Sequence, residues 1–152
     1  MKAIFRLIAL VLLLATAGCG KARPELVEVE GTVTLDGKPL PRAQVNFIHD
    51  RTDIGPEWSS SAVTDDQGNY QLICNANQKP GAVLARHRVL VTDPPPPAGL
   101  HGREQRQYEA EMAHLPNRPI PVIYSIPAQT PLGVEVTADS KKHDLVLVRK
   151  AR

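Results

Sequence analysis

The chain's apolar residues recur at every second position in short runs, and each run is cut off by glycine, proline or a polar pair. A period of two places alternate side chains on opposite faces, so such runs can be half-buried strands but not helices of any length. In Leu26 to Leu35, the residues Val27, Val29, Gly31, Val33 and Leu35 share one face. Asp36-Gly37 then supplies a two-residue turn, because a tight hairpin needs positive φ and glycine adopts it without a Cβ penalty. Pro39 and Pro41 each lack a ladder donor, so pairing is expected to resume only after them. Ala43 to Ile48 reads as the second strand, with Ala43, Val45 and Phe47 inward.

Ser61 to Thr64 is a short strand, Asp65 to Gly68 a turn, and Asn69 to Cys74 the returning strand with Tyr70, Leu72 and Cys74 on one face. Arg86 to Thr92 alternates again, His87, Val89 and Val91 opposing Arg86, Arg88 and Leu90. Gly133–Thr137 and Asp144–Val148 read as a final pair of strands joined by the polar stretch Ala138–His143. Between them the composition changes. Pro94 to Pro97 must be extended and stiff. Arg103 to Leu115 is the one helical candidate, with Tyr108, Met112 and Leu115 at i, i+4 and i+7 and Pro116 as its stop. Residues 117–131 are proline-rich and read as extended. The sum is an all-β fold of about seven strands, a β-sandwich with one short helix near 103–115 inside an insertion spanning 94–118.

The N-terminus carries an address. Lys2 and Arg6 precede the unbroken apolar run Leu7 to Leu14, the small residues Ala15 to Gly18, and then Cys19. That order is a secretory signal, too short to persist as a spanning helix. Ala17-Gly18-Cys19 resembles the lipobox of bacterial lipoproteins, which implies removal of 1–18, acylation of Cys19 and a tether over 19–25. The alternative is an ordinary signal cut nearby, releasing a soluble protein. Gly20 is not the aspartate associated with inner-membrane retention, which favours the outer membrane. Of 18 basic and 16 acidic residues, Lys2 and Arg6 leave with the signal, so the remainder balances. A balanced chain without clustered Lys and Arg has no electrostatic case for nucleic acid. With Cys19 acylated, Cys74 is the only other cysteine, and it reads as a buried hydrophobe.

Val29-Glu30-Gly31-Thr32-Val33-Thr34-Leu35-Asp36-Gly37-Lys38-Pro39-Leu40 resembles the opening of carboxypeptidase regulatory-like domains, which are transthyretin-like sandwiches. Ala43-Gln44-Val45-Asn46-Phe47 and Thr64-Asp65-Asp66-Gln67-Gly68-Asn69-Tyr70-Gln71-Leu72 continue that pattern. Gly81-Ala82, Val89-Leu90-Val91, and Ile120-Pro121-Val122-Ile123-Tyr124 resemble the branch found in small bacterial lipoproteins. The resemblance implies a single sandwich domain over 26–150 and a non-catalytic role in envelope organisation, or in carbohydrate or protein recognition. Its shared residues are turn and core positions, so it names no ligand.

The chemical candidates are thin. Asp65 to Asn69 lacks the twelve-residue frame and terminal glutamate of an EF-hand, and reads as a turn. His49, Asp50 and Asp53 lie close in sequence without a complementary His or Cys pair, so no metal is expected. His87, His101, His114 and His143 are scattered, and Cys74 on an apolar face is a poor nucleophile. Transthyretin-like hydrolases end in Tyr-Arg-Gly-Ser, whereas this chain ends Val148-Arg149-Lys150-Ala151-Arg152. The expected activity is binding without cofactor, at Trp58 in the polar loop 50–60, with Tyr108 and Tyr124, because loop aromatics offer flat apolar faces to sugars or side chains. The expected partners are a membrane, through the lipid on Cys19, and an envelope protein or polysaccharide.

Overall fold

Side-chain alternation from Val27 to Leu35 holds in the structure, but the backbone does not form one strand. The computed structural model describes residues 23–149; the signal 1–18, Cys19, the start of the tether and Lys150 lie outside them. Leu26–Val27 (β1) pairs antiparallel with Ala82–Val83 (β8), whereas Glu30–Leu35 (β2) pairs elsewhere. Val29 between them accepts a hydrogen bond from the Leu72 amide at 2.9 Å. The chain thus changes backbone partner without turning any side chain over. Val27, Val29, Gly31, Val33 and Leu35 are all buried.

Asp36 and Gly37 both take positive φ, at 52° and 76°, the signature of a type I′ hairpin turn. Pairing resumes at once rather than after the prolines: Lys38–Pro39 (β3) faces β2, Leu35 opposite Lys38 and Thr34 opposite Pro39. The ladder tolerates this proline because Pro39 sits between bonded positions. The Leu40 amide donates to Val33 at 3.0 Å, one residue later.

Gln44–His49 (β4) and Ser60–Val63 (β5) follow, each one residue away from the expected Ala43–Ile48 and Ser61–Thr64. The returning segment is split in the same manner as the first. Asn69–Gln71 (β6) pairs with β2, and Ile73–Cys74 (β7) pairs with β5. Ala85–Thr92 (β9) pairs with β4, including His49 opposite His87. The final two strands, Gly133–Val136 (β10) and Leu145–Leu147 (β11), are not a hairpin. β10 runs antiparallel to β9 and β11 parallel to β2.

The described residues therefore hold eleven short strands where seven were expected, in a five-stranded sheet β10-β9-β4-β5-β7, a sheet β11-β2-β3 with β6 also on β2, and the pair β1-β8. Nearly all pairings are antiparallel, and the described residues form an all-β fold with one α-helix. Inward residues of both larger sheets belong to one cluster: Val33, Leu35 and Leu147 with Val45, Phe47, Val89 and Val91. Fully burying each contributes about 1.5–3 kcal/mol relative to exposure.

The stretch between β10 and β11 is pinned across β2. Glu30 exchanges backbone bonds with this stretch, its N–H donating to the Lys141 carbonyl at 2.9 Å and its carbonyl accepting from the His143 amide at 2.8 Å. Asp144 accepts from both the amide and the hydroxyl of Thr32 at 2.9 Å, and these bonds hold its carboxyl below the usual range. Gly31 is obligatory there, since a Cβ on it would stand 2.0 Å from the His143 carbonyl oxygen.

The helix spans Gly102–His114 (α1), and its one buried residue is Met112. The proline-rich segment after it is not wholly extended. Val122–Ser125 forms a 3₁₀ turn, which swings Tyr124 into the core.

Candidate functional site

Two clefts involve the aromatic residues expected to bind, Trp58 and Tyr108. The first surrounds Trp58, which ends a 3₁₀ turn, Pro56–Trp58, begun by the Gly55-Pro56 pair. The indole is half-buried, and its cleft of about 370 Å³ is walled by Arg23, Pro24 and Glu25 on one side and by Arg51, Asp53 and Ile54 on the other. Arg51 donates to Asp53 through Nε at 3.0 Å and through Nη2, lowering the carboxyl and raising the guanidinium from their ordinary values. The Trp58 carbonyl lies 3.9 Å from Cys74 Sγ, and Cys74 is fully buried.

The second cleft, about 400 Å³, lies between α1 and the chain entering and leaving it. Tyr108, Glu109, Met112 and Ala113 form the helix side, Asp93, Pro94 and Pro96 the strap, and Arg118 and Pro119 the return. Tyr108 is half-buried and its hydroxyl reaches the carbonyls of Pro94 and Pro95 at 3.3 and 3.4 Å, fastening helix to strap. An exposed ion pair, Arg42 to Glu111 at 2.7 Å, joins α1 to the chain before β4.

Arg118 is the residue the sequence did not flag. Its side chain is 3% exposed, with Nε donating to Asp93 at 2.5 Å and Nη2 to the carbonyls of Pro41 and Arg42 at 2.8 and 3.3 Å. Nη1 is buried without a partner among the described residues. No periodicity marks an arginine inside a proline-rich insertion, so only the folded arrangement shows it.

The three aromatics are not gathered into one site. Trp58 and Tyr108 belong to separate clefts. Tyr124 is 1% exposed, and its hydroxyl both donates to the Val148 carbonyl at 3.2 Å and accepts from the Val148 amide at 2.9 Å. It closes the core against the C-terminal strand and has no face to offer a ligand, which corrects its expected place on a binding surface. Cys19, the expected lipidation site, lies outside the described residues.

The histidines are likewise dispersed, apart from His49 and His87, whose rings meet on adjacent strands. Asp50, Arg86 and Arg88 line a polar groove with His87, with Thr130 and Gly133 opposite. Among the described residues no group of three His, Cys, Asp or Glu is placed to hold a metal ion, and no helix is long and apolar enough to cross a membrane.

No family model, no curated protein and no solved structure matches this chain.

Proposed function

We propose that this protein is an exported lipoprotein of the cell envelope, anchored through an acylated Cys19. Its transthyretin-like β-sandwich serves as a binding or structural module without catalysis. The sandwich reading is supported by the two larger sheets, whose inward side chains fill one core. The observation that carries the anchored reading is the N-terminal order of Lys2 and Arg6, the apolar run Leu7 to Leu14, small residues and Cys19, and the path from Cys19 to the folded domain is short. Arg23, Pro24 and Glu25 already form a wall of the Trp58 cleft, and β1 begins at Leu26. At an extended rise of 3.3–3.6 Å per residue the domain stands within roughly 25 Å of the anchor. Partners are therefore envelope components near the membrane surface, with the outer membrane favoured by Gly20.

The non-catalytic reading is supported by the burial of Cys74 and by the separation of the other candidate groups. A transthyretin-like hydrolase is the alternative enzyme reading.

Intact mass of the detergent-extracted protein, measured beside Cys19→Ser, tests the anchor. A chain beginning at Cys19 with acyl mass added is the expected result. An unmodified chain cut at another position overturns it. Trp58→Ala tests the first cleft: loss of an envelope partner with an unchanged melting temperature is expected, and an unchanged partner set removes Trp58 from the binding surface.

A further inference from the structure

We propose that the cleft beside α1 receives a compact secondary amide, the acetamido group of an N-acetylated envelope sugar. This deepens the binding-module reading and rests on it. The inference starts from Arg118. A guanidinium carries five N–H donors in a fixed fork. Asp93 takes the one on Nε, the carbonyls of Pro41 and Arg42 occupy Nη2, and Nη1 has no partner among the described residues. An unsatisfied donor on a buried charged group is costly, and natural structures keep few of them without a use. Here the arginine that carries it is itself a wall of the cleft.

The rest of the lining narrows the ligand. Asp93 and Glu109 share the cleft with Arg118, so its carboxylates outnumber its guanidinium and an anion is disfavoured. A donor and acceptors side by side instead complement an amide, whose oxygen accepts from Arg118 and whose N–H donates to a carboxylate. Met112, Ala113 and Pro119 supply an apolar wall for the acetyl methyl, and Tyr108 a flat ring for a sugar face. An extended peptide is the poorer occupant, because Pro94 and Pro96 offer no backbone N–H for a strand ladder. The volume, about 400 Å³, is at the small end of ligand pockets and suits one or two sugar units. Nη1 is closed from solvent in this structure, so an amide reaches it only as the cleft opens, and α1, which buries Met112 alone and is otherwise held by exposed or half-buried contacts, is the wall we expect to yield.

Calorimetric titration of the detergent-solubilised full chain with N,N′-diacetylchitobiose, the uncharged cellobiose that lacks both acetamido groups, and N-acetyl-alanine methylamide tests the proposal. The diacetylated sugar is expected to bind saturably, with cellobiose at least about tenfold weaker, as loss of a charge-assisted hydrogen bond requires. Ala113→Trp, at an exposed helix position that leaves Arg118 and its partners in place, is expected to abolish binding without moving the unfolding midpoint. Arg118→Lys, which keeps the charge and loses the fork, is expected to weaken it. Equal binding of both sugars, preference for the peptide amide, full binding by Ala113→Trp, or no titration by any probe overturns the proposal. None of these results touches the mass of the anchored chain, so the sugar site and the anchor fail separately.

Discussion

His49 and His87 meet edge to face, their ring centroids 6.3 Å apart on the directly paired positions of β4 and β9. Nε2 of His49 lies 3.1 Å from the Gly55 carbonyl and Nε2 of His87 lies 2.9 Å from the Val83 carbonyl. Both Nδ1 atoms are buried without a hydrogen-bond partner among the described residues. For His87 that is the arrangement of an imidazole donating through Nε2 to one carbonyl while burial keeps water from its other nitrogen.

A pH dependence follows. Burial, with the neighbouring His49 as a smaller cause, holds His87 below its ordinary value, while the bond to the Val83 carbonyl, the nearby Phe47 carbonyl and the charge of Asp50 oppose the shift. The unfolded chain therefore binds this proton more readily than the folded one. Stability is complete above the unfolded value of about 6.5 and is lost as pH falls from there toward the folded value. Melting temperature measured from pH 7.5 to 5 should fall, and His87→Leu should flatten the decline. Parallel slopes for the two proteins would assign the effect elsewhere. The lowered carboxyls of Asp36, Asp65 and Asp144 contribute in a separate window, below about pH 4.

Gly31→Ala should destabilise by roughly 1–3 kcal/mol or more, because its Cβ would overlap the His143 carbonyl and the crossing segment must move. The Tyr70 hydroxyl, donating to that same carbonyl at 2.6 Å, would lose its partner as the segment shifts. Denaturant midpoints read the loss; a midpoint within error of the parent would show that 138–144 is not held as described.

Thr64→Val is the sharper test of a buried polar contact. Its hydroxyl accepts from the Ala43 amide at 2.8 Å and donates to the Leu40 carbonyl at 2.7 Å, and the residue is 3% exposed. The valine matches the shape and strands both backbone groups, at a cost of about 1–3 kcal/mol. Thr64→Ser, which keeps the hydroxyl, should retain most of the stability. Equal loss in both variants would point to the methyl instead.

Tyr124→Phe should cost about 1–2 kcal/mol, since one hydroxyl serves both the amide and the carbonyl of Val148. Hydrogen exchange at Val148 should accelerate in the variant. An unchanged rate would show that β11 ends independently of this anchor.

The core was legible in advance because burial follows alternation. Val45, Phe47, Leu72, Val89, Val91 and Leu147 stand inward where a period of two puts them. The candidate site was legible only in part. Trp58 and Tyr108 do line clefts, but Tyr124 was read as accessible from a proline-rich context that in fact folds into a 3₁₀ turn. Arg118 gave no signal, because its importance lies in partners from Asp93, Pro41 and Arg42, distant in sequence and brought together by the insertion.

The chain by itself determined which side chains face inward, where Asp36-Gly37 reverses direction and where α1 stops. Each is set by local periodicity, by φ preferences or by a missing N–H. Only the tertiary structure decided which strand pairs with which. Val27 to Leu35 and Asn69 to Cys74 each divide their backbone bonds between two partners, and β10 and β11 go to different sheets. Backbone donors and acceptors are the same at every residue, so pairing carries no local signature. It is settled by which edges the packed core leaves within reach.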